Sequence, residues 1–243
     1  MENADGPNQK QIESWNGRAG ERWVRLQETL DAHLEVFERA LLAQAAPAPG
    51  EGVIDVGCGC GHTAIEVARR VGEGGEVLGL DVSGPMLARA GERGQALPQL
   101  RFAQADASQF QPKKPVSLLI SRYGVMFFDQ PAAALTNLRS MLAPGGRLVF
   151  VCWAPFADNP WMQLPFQAVA SVVAPPPSDP LAPGPFAFAS QERVASLLRE
   201  AGFSSVKHER LEATIDLGFV ERGELTEEQL DKALDVLSMT HPG

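Results

Sequence analysis

Before residue 50 the apolar positions follow a helical rhythm. Leu30, Leu34, Phe37, Leu41 and Leu42 recur at i, i+3 and i+4 spacing, which predicts a helix with Asp31 as N-cap, stopped by Pro47, Pro49 and Gly50. From Gly52 the rhythm changes. Short apolar runs at Val53–Val56, Val77–Leu80, Val116–Ile120 and Leu148–Val151 alternate with helically spaced segments at His62–Val71, Pro85–Arg93 and Pro131–Leu142. The last of these helices is closed by Pro144-Gly145-Gly146. Alternation of this kind predicts βαβ units, hence an α/β fold with a doubly wound, mostly parallel sheet and helices on both faces.

Downstream, the stretch Ala154–Ala189 turns proline-rich and carries aromatics of its own, including Trp161, Phe156, Phe166, Phe186 and Phe188. Structured insertions of that length are usually lids or binding loops, and this one follows the fifth strand, so it starts at the carboxyl end of the sheet. A helix is expected from Ser190 as cap to Ala201, stopped by Gly202, then an extended stretch at Ser205–Ile215. The capping-box sequence Thr226-Glu227-Glu228-Gln229 predicts a tail helix at Glu227–Met239. The chain therefore divides into an N-terminal helical lid (1–46), a ligand-binding core (47–153), an inserted cap (154–189) and a segment completing the core with a tail helix (190–243).

Composition narrows the function classes. With 243 residues, 44% hydrophobic and 21% charged, the chain has the make-up of an ordered globular protein. Its net charge of −9 lacks the basic surface that phosphate backbones require, so nucleic acid is not the expected partner. The acidic start Met1-Glu2-Asn3-Ala4-Asp5 does not resemble a signal peptide, and the apolar stretch Val116–Phe128 is interrupted by Arg122, short of the roughly 18 residues a membrane span needs. Cys58, Cys60 and Cys152 make neither a disulfide framework nor a metal quartet; a cytoplasmic protein without a metal is expected. The sequence leaves the oligomeric state open.

The sharpest chemical signal is Val53-Ile54-Asp55-Val56-Gly57-Cys58-Gly59-Cys60-Gly61-His62, a strand running through a glycine-alternating turn into a helix. Glycines there let the backbone bend tightly and approach a ligand without Cβ interference. Asp81 ends the next apolar run, 20 residues after Gly61, about the spacing at which an acidic side chain meets ribose hydroxyls. Dinucleotide sites prefer G-x-G-x-x-G, with a pyrophosphate at the helix N-terminus; here the spacing is G-x-G-x-G and Asp55 stands two residues before the first glycine. A carboxylate repels a pyrophosphate and attracts an ammonium or sulfonium group, and S-adenosylmethionine carries both cations.

With Gln104-Ala105-Asp106-Ala107 after the third strand, Ser121-Arg122-Tyr123-Gly124-Val125-Met126-Phe127-Phe128 after the fourth and Leu142-Ala143-Pro144-Gly145-Gly146-Arg147-Leu148 before the fifth, the chain resembles the class I S-adenosylmethionine-dependent methyltransferases. Within them it is similar to the small-molecule branch of the ubiquinone and menaquinone methyltransferases, over roughly residues 10–215. The resemblance implies a Rossmann-like sheet and S-adenosylmethionine as cofactor. It implies that the turn wraps the methionine part, that Asp81 binds the ribose and that Asp106 contacts the adenine amino group. Asp55, Gly57, Gly59, Gly61, Asp81, Val82, Met86, Asp106, Ala107 and Ser121 are the expected cofactor-binding residues.

No catalytic base is carried over; Tyr123, His33 and His62 are candidates without an order between them. Arg122 reads as a partner for a substrate carboxylate or phenolate, or as a structural ion pair, and Cys58 and Cys60 as small residues packed beneath the turn. Trp15, Gly17, Gly20 and Trp23 suggest an aromatic lid over the cofactor, or an anchor for the first helix. The expected activity is methyl transfer to an O, N or C nucleophile of a small organic acceptor. The alternatives are a non-catalytic S-adenosylmethionine-binding protein and a nicotinamide-dependent dehydrogenase. The Asn/Asp-Pro-Pro-Tyr/Phe motif of nucleic-acid amino-methyltransferases is replaced here by Ser121-Arg122-Tyr123-Gly124.

Overall fold

A computed structural model describes residues 6–163, 179 and 181–215. Five strands, β1 (Gly52–Val56), β2 (Glu76–Asp81), β3 (Leu100–Gln104), β4 (Val116–Arg122) and β5 (Leu142–Val151), form one sheet in the order β3-β2-β1-β4-β5. Every pairing is parallel. The period-2 alternation of the strands sorts two cores. Val53, Val77, Leu118 and Ile120 face one side, where Ala64, Val67, Ala68 and Val71 of α4 (His62–Val71) cover them. Ile54, Val56, Leu80 and Leu119 face the other, under Ala134, Leu135, Leu138 and Met141 of α6 (Pro131–Met141). Between them α5 (Gly84–Gly94) is capped by Ser83, whose hydroxyl accepts from the Met86 N–H, and starts with proline in its first turn. The last described helix, α7 (Gln191–Glu200), has Ser190 as N-cap, as its sequence predicts.

Three helices precede the sheet: α1 (Gln9–Asn16), α2 (Arg18–Arg25) and α3 (Gln27–Ala45). Helix α3 starts a turn earlier than its apolar spacing suggests, so Asp31 is not its N-cap but a buried member of its inward face. The first two helices dock on the loop after β2. Ser83 Oγ donates to the Trp15 carbonyl at 2.6 Å, and the Asn16 side chain bridges the Val82 carbonyl and the Gly84 N–H. A Cβ at Gly20 would stand 2.0 Å from the Trp15 carbonyl oxygen, so only glycine lets the chain fold back this closely.

Two expectations change. After Leu142 pairs with Val116 the ladder shifts register and resumes at Leu118 and Arg147, because Gly145 at φ 77 bulges the chain outward between them. The stretch 205–215 pairs with none of the described strands; its Lys207, His208, Glu209, Arg210 and Glu212 are exposed, and Val206 and Ile215 pack against the core. The expected helix Glu227–Met239 lies outside the described residues, as does Phe166.

Candidate functional site

The chain runs from β1 outward to β3 and then crosses back to β4 on the other side of β1, which opens a crevice at the carboxyl ends of β1 and β4. Residues from the N-terminal helices, from the strand ends and from the segments after β5 line one cavity there. Gly57, Gly59 and Gly61 all take positive φ, at 69, 55 and 81. Gly57 also lies against Gly124, whose Cα would be 2.6 Å from an added Cβ, so the turn and the segment after β4 fit only backbone to backbone.

Of the expected cofactor-binding residues, Asp55, Gly57, Gly59, Asp81, Val82, Met86, Asp106 and Ala107 line this cavity. Gly61 and Ser121 do not: a Cβ at Gly61 would meet Ala90 and Phe102, so it packs α4 onto α5, and the buried Ser121 hydroxyl donates to the Val56 carbonyl and accepts from the Gly124 N–H. Both fasten the turn.

The charged groups divide by what they already hold. Asp81 accepts from the N–H groups of Gly59 at 2.8 Å and Ser83 at 2.9 Å, which tie the end of β2 to the turn; burial nonetheless raises its pKa, against the pull of those bonds. Asp106 accepts from Ser108 N–H and, at 3.0 and 2.9 Å, from the Asn8 amide, whose carbonyl in turn accepts from Asp129 N–H. Asp55 is different. It is 1% exposed and no side chain hydrogen-bonds either of its oxygens; the Ala64 N–H in the first turn of α4 is the one backbone group that favours its carboxylate, and it falls short of full hydrogen-bond geometry. Burial pushes its pKa up to about 7, even with the Arg122 guanidinium pulling the other way. A buried carboxylate without a side-chain partner is costly unless a cation arrives to neutralise it, so this end of the cavity fits a ligand that brings one.

Arg122 sits beside it. Its Nε donates to Thr63 Oγ1 at 3.1 Å and its Nη2 to Asp31 at 3.3 Å, while the buried Nη1 is unpartnered. Asp31 is the hub of a network that joins α3 to α4, α5 and β4: it accepts from Gln27 at 2.5 Å and Arg93 at 2.8 Å, and His62 Nδ1 lies 3.2 Å away. The other ring nitrogen of His62 meets Glu38 at 2.5 Å. Hydrogen bonds to Asp31 and then Glu38 raise the His62 pKa to about 9, and although burial pushes Asp31 up, His62 and Arg122 bring it down to about 2. Arg93 also donates to the Cys60 carbonyl at 2.6 Å, so the network reaches the turn itself. Both ring nitrogens of His62 meet carboxylates, which favours the charged ring, and Nδ1 also lies 3.2 Å from Arg93 Nη2.

The sequence reading missed Asn8, Thr63 and the role of Asp31 and Glu38. Asp31, Leu34 and Glu38 share one face of α3, and charges on an apolar stripe were the available signal; Asn8 had none.

At the far end the cavity is aromatic. Tyr123 stacks on Trp153 with centroids 4.3 Å apart and planes 11° apart, Trp161 lies 5.0 Å from Trp153, and Phe37 meets Tyr123 and Trp153 edge-on. His33 also lines the cavity, as do Trp161, Met162 and Pro185 from the proline-rich segment. Trp15, Trp23 and Phe127 line the cavity too, with Trp15 edge-on to Trp23 and Phe127 at 5.9 and 5.3 Å. Cys58, Cys60 and Cys152 are free thiols, and burial pushes all three up, Cys60 to about 12 and Cys152 to about 11. No described helix is long and apolar enough to cross a membrane.

Comparison with known proteins agrees with this geometry. The methyltransferase domain family matches residues 53–146. Nocamycin O-methyltransferase of Saccharothrix syringae is 33% identical over 189 residues, which cover 72% of this chain and 67% of that protein. The 2-phytyl-1,4-naphtoquinone methyltransferase of Thermosynechococcus vestitus is 30% identical over 169 residues, covering 65% of this chain and 75% of the relative. In fold, the chain is similar to magnesium protoporphyrin IX methyltransferase of Synechocystis PCC 6803, a structure with S-adenosylhomocysteine bound, with a TM-score of 0.60 at 17% identity over 82% of this chain and 90% of that one. A glycine turn, a buried acid beside it and relatives of this extent lead to one assignment: the chain belongs to the class I S-adenosylmethionine-dependent methyltransferases.

Proposed function

We propose that the protein moves the methyl group of S-adenosylmethionine to a small organic acceptor seated between the glycine turn and the aromatic end of the cavity. The observation that carries this reading is Asp55, a buried carboxyl that no side chain hydrogen-bonds, beside a turn of positive-φ glycines. Asp55 takes the α-ammonium of the cofactor, and the free Nη1 of Arg122 takes its α-carboxylate, so the two groups read a zwitterion between them. The unused lone pairs of Asp81 accept the ribose hydroxyls; Val82, Met86 and Ala107 wall the adenosine, and Asp106 receives the adenine amino group, a donor of the same kind as the Asn8 amide that it now holds.

When bound, S-adenosylmethionine supplies a methyl carbon on a sulfonium that leaves as a neutral sulfide. The protein's share is alignment and exclusion of water: Trp15 and Trp23 close one side and Trp153 and Trp161 the other. Tyr123 keeps its proton, since burial raises its pKa well above the usual phenol value, so it donates a hydrogen bond rather than acting as base. The printed names of the relatives, an O-methyltransferase of nocamycin and a naphtoquinone methyltransferase, support a small organic acceptor. The net charge of −9 argues against nucleic acid, and three free thiols support a cytoplasmic setting.

Calorimetric titration of the purified protein with S-adenosylmethionine, S-adenosylhomocysteine and NAD tests the reading. The first two bind and NAD does not; NAD binding with no response to the sulfonium compound overturns it.

A further inference from the structure

Helix α1 is fastened at both ends to loops that follow the strand ends. At its C-terminal end the Asn16 side chain donates to the Val82 carbonyl and accepts from the Gly84 N–H, and the Trp15 carbonyl accepts from Ser83 Oγ. At its N-terminal end stands Asn8, 6% exposed. The Asn8 amide nitrogen reaches Asp106 Oδ1 at 3.0 Å, Asp106 Oδ2 at 2.9 Å and Ser108 Oγ at 3.1 Å, and its amide oxygen accepts from the Asp129 N–H at 2.6 Å. Asn8 and Asp106 both line the cavity. An NH2 group that straddles the two oxygens of a carboxylate stands in front of it, in the place where an incoming amino group has to stand.

Asn8 holds that place against its local preference. It occupies the N-cap position of α1, and asparagine is among the best N-caps when its backbone is extended and its side-chain oxygen accepts from the first helical N–H groups. Here its φ is 64 and its ψ 12, in the left-handed region, and its side chain caps nothing. The amide is spent on Asp106 and Asp129 instead. Asparagine tolerates the left-handed region, so the two arrangements of this one residue lie close in energy. Turning the backbone of Asn8 to the extended region returns the side chain to the helix as a cap and vacates Asp106, while Asn16 and Trp15 keep their hold at the other end. A residue with two such arrangements is an element that a ligand can bias.

We infer, resting on the reading of Asp106 as the acid for the adenine amino group, that Asn8 is an internal competitor of the cofactor. The N-terminal segment occupies that acid with an amide of its own, and the cofactor binds by taking the amide's place while Asn8 turns back to cap α1. The affinity is thereby lowered in proportion to the fraction of chains in which Asn8 is off Asp106. The sign of this effect separates it from a helix that merely closes over the cofactor. Cutting the fastening of a closing helix weakens binding; removing a competitor strengthens it.

The test uses the whole chain and two variants. Asn8→Gly keeps the left-handed backbone without steric cost and removes the amide. Asn8→Asp keeps an acceptor for the Asp129 N–H but sets a carboxylate against that of Asp106, and it takes the place of Asn8→Gly if urea unfolding shows the latter to be unfolded. By titration calorimetry the folded variant binds S-adenosylhomocysteine about three- to thirtyfold tighter than the parent. S-inosylhomocysteine, with an oxo group in place of the amino group, brings no hydrogen at that position for the freed carboxylate, and its affinity changes by less than about twofold. Weaker or unchanged binding of S-adenosylhomocysteine by the folded variant, or an equal gain for both ligands, overturns the inference. Failure of the parent and of both variants to bind S-adenosylhomocysteine at all sinks the methyl-transfer reading instead, so the two failures are distinct.

Discussion

Asp55→Asn isolates the charge at the centre of the cofactor reading while keeping the side chain's shape. The buried carboxyl of the unliganded protein titrates at about 7, whereas an unfolded chain ionises it near 3.8. Ionising it inside the fold is therefore unfavourable, and as pH rises from 3.8 through about 7 the unliganded chain loses stability on its account. A cationic ligand reverses the balance because it prefers the carboxylate. Below about pH 7 the protein must release a proton to bind, and each further pH unit downward weakens binding about tenfold, about 1.4 kcal/mol. Above that value the affinity levels off.

Asparagine removes the slope and part of the affinity. A charge-assisted contact to an ammonium is worth about 1.5–3 kcal/mol, so at pH 8 the variant binds S-adenosylhomocysteine about one to two decades more weakly than the parent. At pH 6 the gap narrows by about tenfold, since only the parent has a proton to release. Titration calorimetry between pH 5.5 and 8, repeated in buffers of different ionisation enthalpy, counts the protons: about one released at the acid end and about none at the alkaline end. A parent protein with pH-independent affinity, or a variant that keeps the slope, refutes the placement of the ammonium on Asp55.

Three further outcomes follow from the same geometry. Asp81→Ala removes the acceptor for the ribose hydroxyls together with the anchor for Gly59 and Ser83 N–H; calorimetry should show S-adenosylhomocysteine binding weakened by about 1.5–3 kcal/mol in a folded chain. Gly57→Ala places a Cβ 2.6 Å from the Gly124 backbone at a φ of 69, and should lower stability to urea by about 1–3 kcal/mol. His62→Gln removes a cation whose folded pKa of about 9 lies above its ordinary 6.5; the stability it contributes is fully present below pH 6.5 and is lost as pH rises through about 9, so melting temperatures of parent and variant should differ at pH 6 and converge by pH 10.

The parallel core was legible because burial on both faces leaves a local mark. Val53–Val56 and Val116–Ile120 are apolar runs that could not be surface strands, and the expected cap Ser190 sits one residue before the helix it starts. The turn was legible for a related reason: three glycines at positive φ in five residues have few uses other than close backbone approach. The stretch 205–215 carries little local signal: its residues are mostly polar, Val206 and Ile215 pack against the core, and it pairs with none of the described strands.

The network around Asp31 shows where local reading stops. As a residue type before an apolar run, aspartate is a good helix cap, and nothing within a few positions says otherwise. Its partners come from Gln27 in its own helix, His62 in α4, Arg93 in α5 and Arg122 in β4, so the arrangement exists only once the sheet has brought four elements together. What the sequence does record is the cost of the alternative: Asp31 and Glu38 flank Leu34 on the face of α3 that turns inward, at 8% and 3% exposure, where unpaired carboxylates would oppose folding. A charge on an apolar stripe thus announces a partner without naming it. Here the partners include the first residue of α4 and the last residue of β4, so packing of α3 and the shape of the glycine turn depend on the same ion pairs. That dependence is why the effect of His62→Gln on melting should be accompanied by weaker S-adenosylhomocysteine binding at pH 6; a variant that melts lower yet binds with unchanged affinity would show that α3 and the turn are held independently.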